Sequence, residues 1–375
     1  MPDEADQPIA PAAAVPPAPT AAPAANAAPV QATPLPNRGG RGPAGRGGQG
    51  TASFFYDSDF GRDIDTVLAL AVLSNLGNKG KLAVITVSNS SLEAAAFCDS
   101  VRRFYAGAPI GGRGGGLGGG GGLIVGLAEK GAKLGASPLI DKPLAMQDAD
   151  GKPLFPHTIN ELNDTADPIV VLRNGLLTLR DGEATFILAG PATNLTNLLA
   201  LKGVSDLLAA KVSVLLVAAG AYPDGPADPR IRADLAAARK LFAAWPTPIV
   251  AVGTEVGAAV PYPAQSIEQD FSWAPAHPVA EAYRANQPMP YDAPAPAVIA
   301  ALYAANPSAD YFRLSEPGTI SVANDGKTTF APSADGKHRY LILDVAQKER
   351  IAKDFTALAS GKPAPAAAGR GRGGA

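Results

Sequence analysis

Residues 52–76 read ASFFYDSDFGRDIDTVLALAVLSNL, and their reading decides the fold class. An apolar run of strand length ends at Asp57. A turn crowded with aspartates follows, in which Gly61 permits a tight reversal, and a run of helical content begins at Thr66. The same unit recurs outward from this point. KLAVITVS (81–88) reads as a second buried strand and leads into a helix over LEAAAFCDSVRRFYAG (92–107). EATFILAG (183–190), KVSVLLVAAG (211–220) and TPIVAVGTEVG (247–257) are strand-like runs ending at small residues. Helical segments lie between them: DPIVVLRNGLLTLRDG (167–182), TNLTNLLAL (193–201) and ADLAAARKLFAAW (233–245). Buried strands alternating with helices predict an α/β fold, a single open and mainly parallel sheet with helices on both faces. Ligands of such sheets bind beyond the carboxyl ends of the strands. The candidate residues therefore fall at 57–65, at Asn89, at 189–194, at 220–228 and at Glu255.

The chain outside this pattern is different. Residues 1–51 and 361–375 are rich in Ala, Pro and Gly and have almost no large apolar side chain to bury, which predicts disordered tails. Between them we expect one α/β domain over 52–345 and a C-terminal helix over 346–360. Arg38, Arg41 and Arg46 are too few for an RGG-type RNA contact, and a net charge of −2 offers no basic surface, so no nucleic-acid partner is expected. No run approaches the ~18 apolar residues of a membrane span. Cys98 is the only cysteine, which excludes an intrachain disulfide and a structural cysteine–zinc site. The glycine-rich stretch 111–122, read as following a strand end at YAGAPI, lacks the Walker lysine and reads as a flap or low complexity. Met1 is followed by no basic or apolar leader, although a Pro/Ala tether is common after an export signal. The expectation is export to a periplasm if the start lies upstream, and the cytoplasm otherwise.

Four carboxylates in nine residues, Asp57, Asp59, Asp63 and Asp65, are costly at a strand end unless a cation holds them together. Oxygen ligands of this kind suit Ca²⁺ or Mg²⁺ better than zinc. A helix start alone would account for one aspartate and not for four. The segment DSDFGRDID resembles the N-terminal signature of the inosine/uridine-preferring nucleoside hydrolases in its longer form. Further segments resemble that family in order: TVSNSSLEAA (86–95), ILAGPATNL (187–195), WPTPIVAVGTEVG (245–257) and HPVAEAYRANQPMPYDAPAPAVIAALYAANP (277–307).

The resemblance implies a nucleoside-hydrolase-like fold, a Ca²⁺ cofactor and hydrolysis of the N-glycosidic bond of a nucleoside-like small molecule. By position it makes Asp59 the general base and a metal ligand. Asp57, Asp63, Asp65, the Ala189 carbonyl and Asp292 would complete the ion's shell. Asn89, Asp228, Arg230 and Tyr291 would line the substrate, and a homo-oligomer is compatible with it. The ribose segment diverges: Thr66 stands where the family has a second aspartate, Asp228 replaces a glutamate, and Arg230 replaces an asparagine. Arginine is donor-only and always charged, so it cannot copy an amide. It is expected to pair with Asp228 or Asp234, or to meet an acidic or phosphorylated sugar. That divergence also admits a non-catalytic, Ca²⁺-dependent sugar-binding protein. A haloacid-dehalogenase-like phosphatase, suggested by the D-x-D at a strand end, lacks its downstream lysine and second acidic pair. His277 reads as a helix-start or surface residue, Cys98 as core, and Trp245 and Trp273 as packing residues.

The tails offer no core, so brief protease treatment is expected to trim 1–50 and 361–375 without lowering the melting temperature. A marked loss of stability on trimming would show that they pack.

Overall fold

A computed structural model describes residues 52–107 and 124–362. The two tails beyond these limits, with Arg38, Arg41 and Arg46, and the glycine-rich stretch 111–122 lie outside the described residues.

Among the described residues, ten strands form one sheet: β1 (Ser53–Ser58), β2 (Lys81–Asn89), β3 (Val125–Ala132), β4 (Ala184–Ala189), β5 (Val212–Val217), β6 (Ile249–Ala251), β7 (Phe312–Leu314), β8 (Gly318–Val322), β9 (Thr328–Pro332) and β10 (His338–Leu343). Their spatial order is β3-β2-β1-β4-β5-β6-β10-β8-β9, with β7 paired to β10. β1 to β6 and β10 are joined in parallel, whereas β7, β8 and β9 add antiparallel pairs at one side. The mainly parallel sheet is therefore as the alternation of strands and helices predicts.

Period-two alternation along the central strands explains why both faces are covered. On β1, Phe54 and Tyr56 enter one core and Phe55 enters the other. The first core is closed by the helices Ile64–Ser74, Leu92–Ala106, Pro278–Asn286, Pro296–Ala305 and Lys348–Ser360. The second is closed by Pro168–Leu177, Thr193–Leu199, Val204–Lys211 and Leu235–Ala244. Cys98 and Trp245 are buried in these cores. The Trp273 indole donates to the Ser360 carbonyl (2.7 Å), a packing role.

Two local readings need correction. Tyr105 and Ala106 end the helix expected over 92–107 and not a strand before the glycine-rich stretch, because Gly107 takes a left-handed conformation and its N–H caps the preceding turn. β3 and the four short strands β7 to β10 were not anticipated. β7 to β10 are largely half-exposed, so they lack the continuous apolar runs of the central strands.

The topology fixes where a ligand can sit. From β1 the chain moves to β2 and β3 on one side, then crosses back to β4 on the other. The carboxyl ends of β1 and β4 thus form the switch point of the sheet, the usual crevice of such folds. Gly190 makes the close approach there possible. A Cβ at that position would lie 2.6 Å from the Asp59 backbone nitrogen and 3.0 Å from Ser88 Oγ. Gly190→Ala should therefore lower the urea midpoint, at a cost of about 1–3 kcal/mol for overpacking against backbone. An unchanged midpoint would show that the strand ends have slack.

Candidate functional site

Asp57 is the penultimate residue of β1, and the backbone leaves the sheet after Ser58. It is almost wholly buried. Its Oδ2 accepts from Thr86 Oγ1 on β2 and from Asn194 Nδ2 beyond β4 (2.7 Å), while its Oδ1 has no partner among the described residues. Burial is the main force on this carboxyl and raises it to about 7, against the opposing donors. Asp59 is also buried. Its Oδ2 accepts from Arg62 Nε (2.9 Å) and its Oδ1 is unpartnered among the described residues. Burial raises it to about 6, and Arg230 is the largest influence in the other direction.

Gly61 turns the chain at φ +98°, and its carbonyl accepts from Ser137 Oγ (2.6 Å). Asp63 then occupies the N-cap position of the helix Ile64–Ser74 without a side-chain cap, and Asp65 lies in its first turn. The carboxylate of Asp63 is half-exposed, whereas that of Asp65 is buried. Thr66 is buried too, and its Oγ1 donates back to the Asp63 carbonyl (2.8 Å).

The positive charge in this cluster comes from Arg230. Its Nη2 lies 2.6 Å from Asp65 Oδ1 and 3.3 Å from Asp63 Oδ2, and its Nη1 donates to the Ala218 carbonyl (3.0 Å). Burial opposes the guanidinium charge, but the carboxylates of Asp65, Asp59, Asp63 and Asp228 more than offset that and hold it protonated. Neither Asp228 nor Asp234 is its side-chain ion-pair partner. Asp228 is an N-cap: its Oδ1 accepts the N–H groups of Arg230 (2.7 Å) and Ile231, and its Oδ2 accepts that of Gly220 (3.0 Å). Asp234 caps the next helix through Ala237 N–H and accepts from Thr193 Oγ1.

The expected calcium site is overturned by this arrangement. Among the described residues, no group of three or more His, Cys, Asp or Glu side chains is placed to hold a metal ion. The physical reason lies in the donor set. A guanidinium occupies the space between Asp63 and Asp65, and the second oxygen of Asp65 accepts from Ala297 N–H (3.0 Å). Asp292 does not join the cluster: it is exposed, and its Oδ1 accepts from Ala264 N–H (2.9 Å) at the start of another helix. Ala189 ends β4, paired in register with Ser58. The set Asp57, Asp59, Asp63, Asp65, Ala189 and Asp292 therefore does not fit a calcium shell, which needs six to eight converging oxygens.

Two of the expected substrate contacts are engaged within the protein. Asn89 Nδ2 donates to the Phe60 carbonyl (2.8 Å), and its Oδ1 accepts from Ser91 N–H. Tyr291 stacks on Tyr283 and donates to that residue's carbonyl (2.7 Å). His277 starts a helix, with Nδ1 accepting from Val279 N–H (3.2 Å). It is buried among Phe104, Tyr105, Phe271 and Trp273, which lowers its pKa to about 3 and makes it a packing residue.

Sequence reasoning missed Thr86, Arg62 and the side-chain role of Asn194. Asn194 stood within a segment already marked as a strand end. It also lines a cavity of about 500 Å³, with Glu129, Lys130, Asn163, Asp167 and Thr193 among its walls. The buried Asp57 carboxyl is thus linked to this cavity through one amide, that of Asn194.

Solved structures share this architecture at low identity. A plant nucleoside hydrolase matches with 17% identity and a TM-score of 0.58, covering 83% of this chain and all of that one. The inosine–uridine preferring nucleoside hydrolase of Bacillus anthracis matches with 14% identity and a TM-score of 0.55, covering 82% and 99%. The type III effector protein XopQ, complexed with adenosine diphosphate ribose, matches with 13% identity and a TM-score of 0.56, covering 84% and 96%. No family model and no curated protein matches the sequence. The chain has the nucleoside-hydrolase fold, and the likeness singles out no subgroup.

The raised Asp57 carboxyl has a consequence for stability. Its folded value of about 7 exceeds the ordinary 3.8, so its contribution is fully present below about pH 4 and is lost as pH rises through 7. Asp57→Asn removes that dependence and keeps an acceptor for Thr86 and Asn194. The variant should gain on wild type as pH rises from 4 through 7, by about 3–5 kcal/mol at pH 8 in urea unfolding. Parallel stability–pH curves would contradict the burial argument.

Proposed function

We propose that this chain hydrolyses the N-glycosidic bond of a nucleoside-like substrate with its own side chains, Asp59 serving as general base. The observation that carries the reading is a set of buried, unpartnered polar atoms at the switch point. Among the described residues these are Asp57 Oδ1, Ser58 Oγ, Asp59 Oδ1, Ser88 Oγ and Arg230 Nε. Burying such atoms without partners is costly, and their mixture of acceptors, hydroxyls and one charged donor suits a ligand. Adjacent sugar hydroxyls match it: each donates to a carboxylate and accepts from the guanidinium or a serine. The cavity beside Asn194 offers room for the remainder of the substrate.

In this reading Asp59, near 6, is ionised at neutral pH and basic enough to take a proton from an attacking water. The surrounding carboxylates stabilise the positive charge that develops on the sugar ring as the bond to the base breaks. Arg62, with a partly exposed side chain on Asp59, is the group that must swing aside to admit substrate. The bound ADP-ribose of the XopQ structure supports a ribose-bearing ligand. Arg62 and Arg230 both act on Asp59, which favours a second reading, binding without turnover.

The test is release of free base from a nucleoside panel that includes inosine, uridine and ADP-ribose, in the presence of EDTA. Release is expected, and Asp59→Asn should lower it ~10²–10⁴-fold with an unchanged circular dichroism spectrum. Ligand binding without release would select the second reading. Neither binding nor release would end both.

A further inference from the structure

We infer that Arg230 is a tethered counter-ion: its guanidinium neutralises the acidic cluster of this chain from within and makes the folded state independent of any divalent cation. This holds whether or not the site turns over a substrate.

Asp57, Asp59 and Asp65 are each at most 2% exposed, so water does little to screen their mutual repulsion. Arg62 is local and its side chain is 42% exposed. Arg230 comes from a distant part of the chain, and its side chain is 6% exposed. The sequence builds a seat for it. Pro229 opens the helix Pro229–Ala233, where a missing N–H is harmless, and Asp228 caps that helix through the N–H of Arg230 itself. The other oxygen of Asp228 holds Gly220, just beyond β5, and the Ala218 carbonyl receives Nη1. The end of β5 and the start of this helix thus aim the guanidinium at the first turn of Ile64–Ser74. There Asp65 is oriented from the opposite side by Ala297 N–H.

A cation in solution could not displace this arrangement easily. The guanidinium is always charged, cannot be removed by chelation or dilution, and presents hydrogens where an ion would require oxygens. Its charge also opposes a second cation at the same carboxylates.

The test uses the full chain. Thermal unfolding is followed in EDTA, in plain buffer and in millimolar CaCl₂, with metal content measured on the same protein. Wild type should melt within ~1 °C in all three and carry no stoichiometric ion, as linkage requires when nothing binds. Arg230→Gln, neutral, polar and shorter, should melt lower by at least ~5 °C, because it leaves the buried Asp65 carboxylate without its cation. Calcium should restore part of that loss. Arg230→Lys keeps the charge and loses the fork, so it should fall between the two and respond less to calcium. The inference is overturned if wild type loses stability in EDTA or gains it with calcium, or if Arg230→Gln is as stable as Arg230→Lys. Should the variants not accumulate as folded protein, the wild-type arm decides alone.

Discussion

The ion pair between Arg230 and Asp65 joins two parts of the chain separated by 165 residues, and both side chains are almost entirely withdrawn from water. Removing one member of such a pair typically costs about 3–5 kcal/mol, because the other is left charged in a medium that does not solvate it. Much of the architecture converges on this contact. The end of β1 and the turn at Gly61 bring in the aspartates. The end of β5 and its capped helix bring in the arginine, and Ala297 fixes the remaining oxygen of Asp65 from a third direction. A sheet whose strand ends carried these carboxylates without an internal cation would need one from outside.

This arrangement separates fold from chemistry. The overall fold matches that of solved nucleoside hydrolases, and the acidic turn stands at the end of β1, beside the switch point of the sheet. Function, however, depends on the groups placed at that end. Here they are two buried carboxyls, each with one oxygen unpartnered among the described residues, two serines, an asparagine bordering a cavity and a guanidinium. Such a site can hold sugar hydroxyls by hydrogen bonds. It does not fit the calcium shell that the family resemblance implies.

The parts legible in the sequence are those encoded locally. Continuous apolar runs announced β1, β2, β4, β5 and β6, because strands buried on both faces need apolar residues throughout. The crowding of Asp57, Asp59, Asp63 and Asp65 marked the site for an electrostatic reason that holds before any fold is known. What could not be read was tertiary. Nothing near Arg230 in sequence reveals that its partners are Asp65 and Asp63, and nearby Asp228 and Asp234 were the natural candidates. Asp292 was assigned by family position, yet it holds the start of another helix. Asn194 was located at a strand end, but only the packing of β1 against β4 turns its amide toward Asp57.

The account stands or falls on what occupies the centre of the acidic cluster. The most direct measurement is a high-resolution crystal structure of the protein grown in the presence of calcium. The prediction is that Arg230 Nη2 lies within hydrogen-bond distance of Asp65 Oδ1 and that no ion stands among Asp57, Asp59 and Asp65. A calcium ion coordinated by those carboxylates, with the guanidinium displaced, would contradict it.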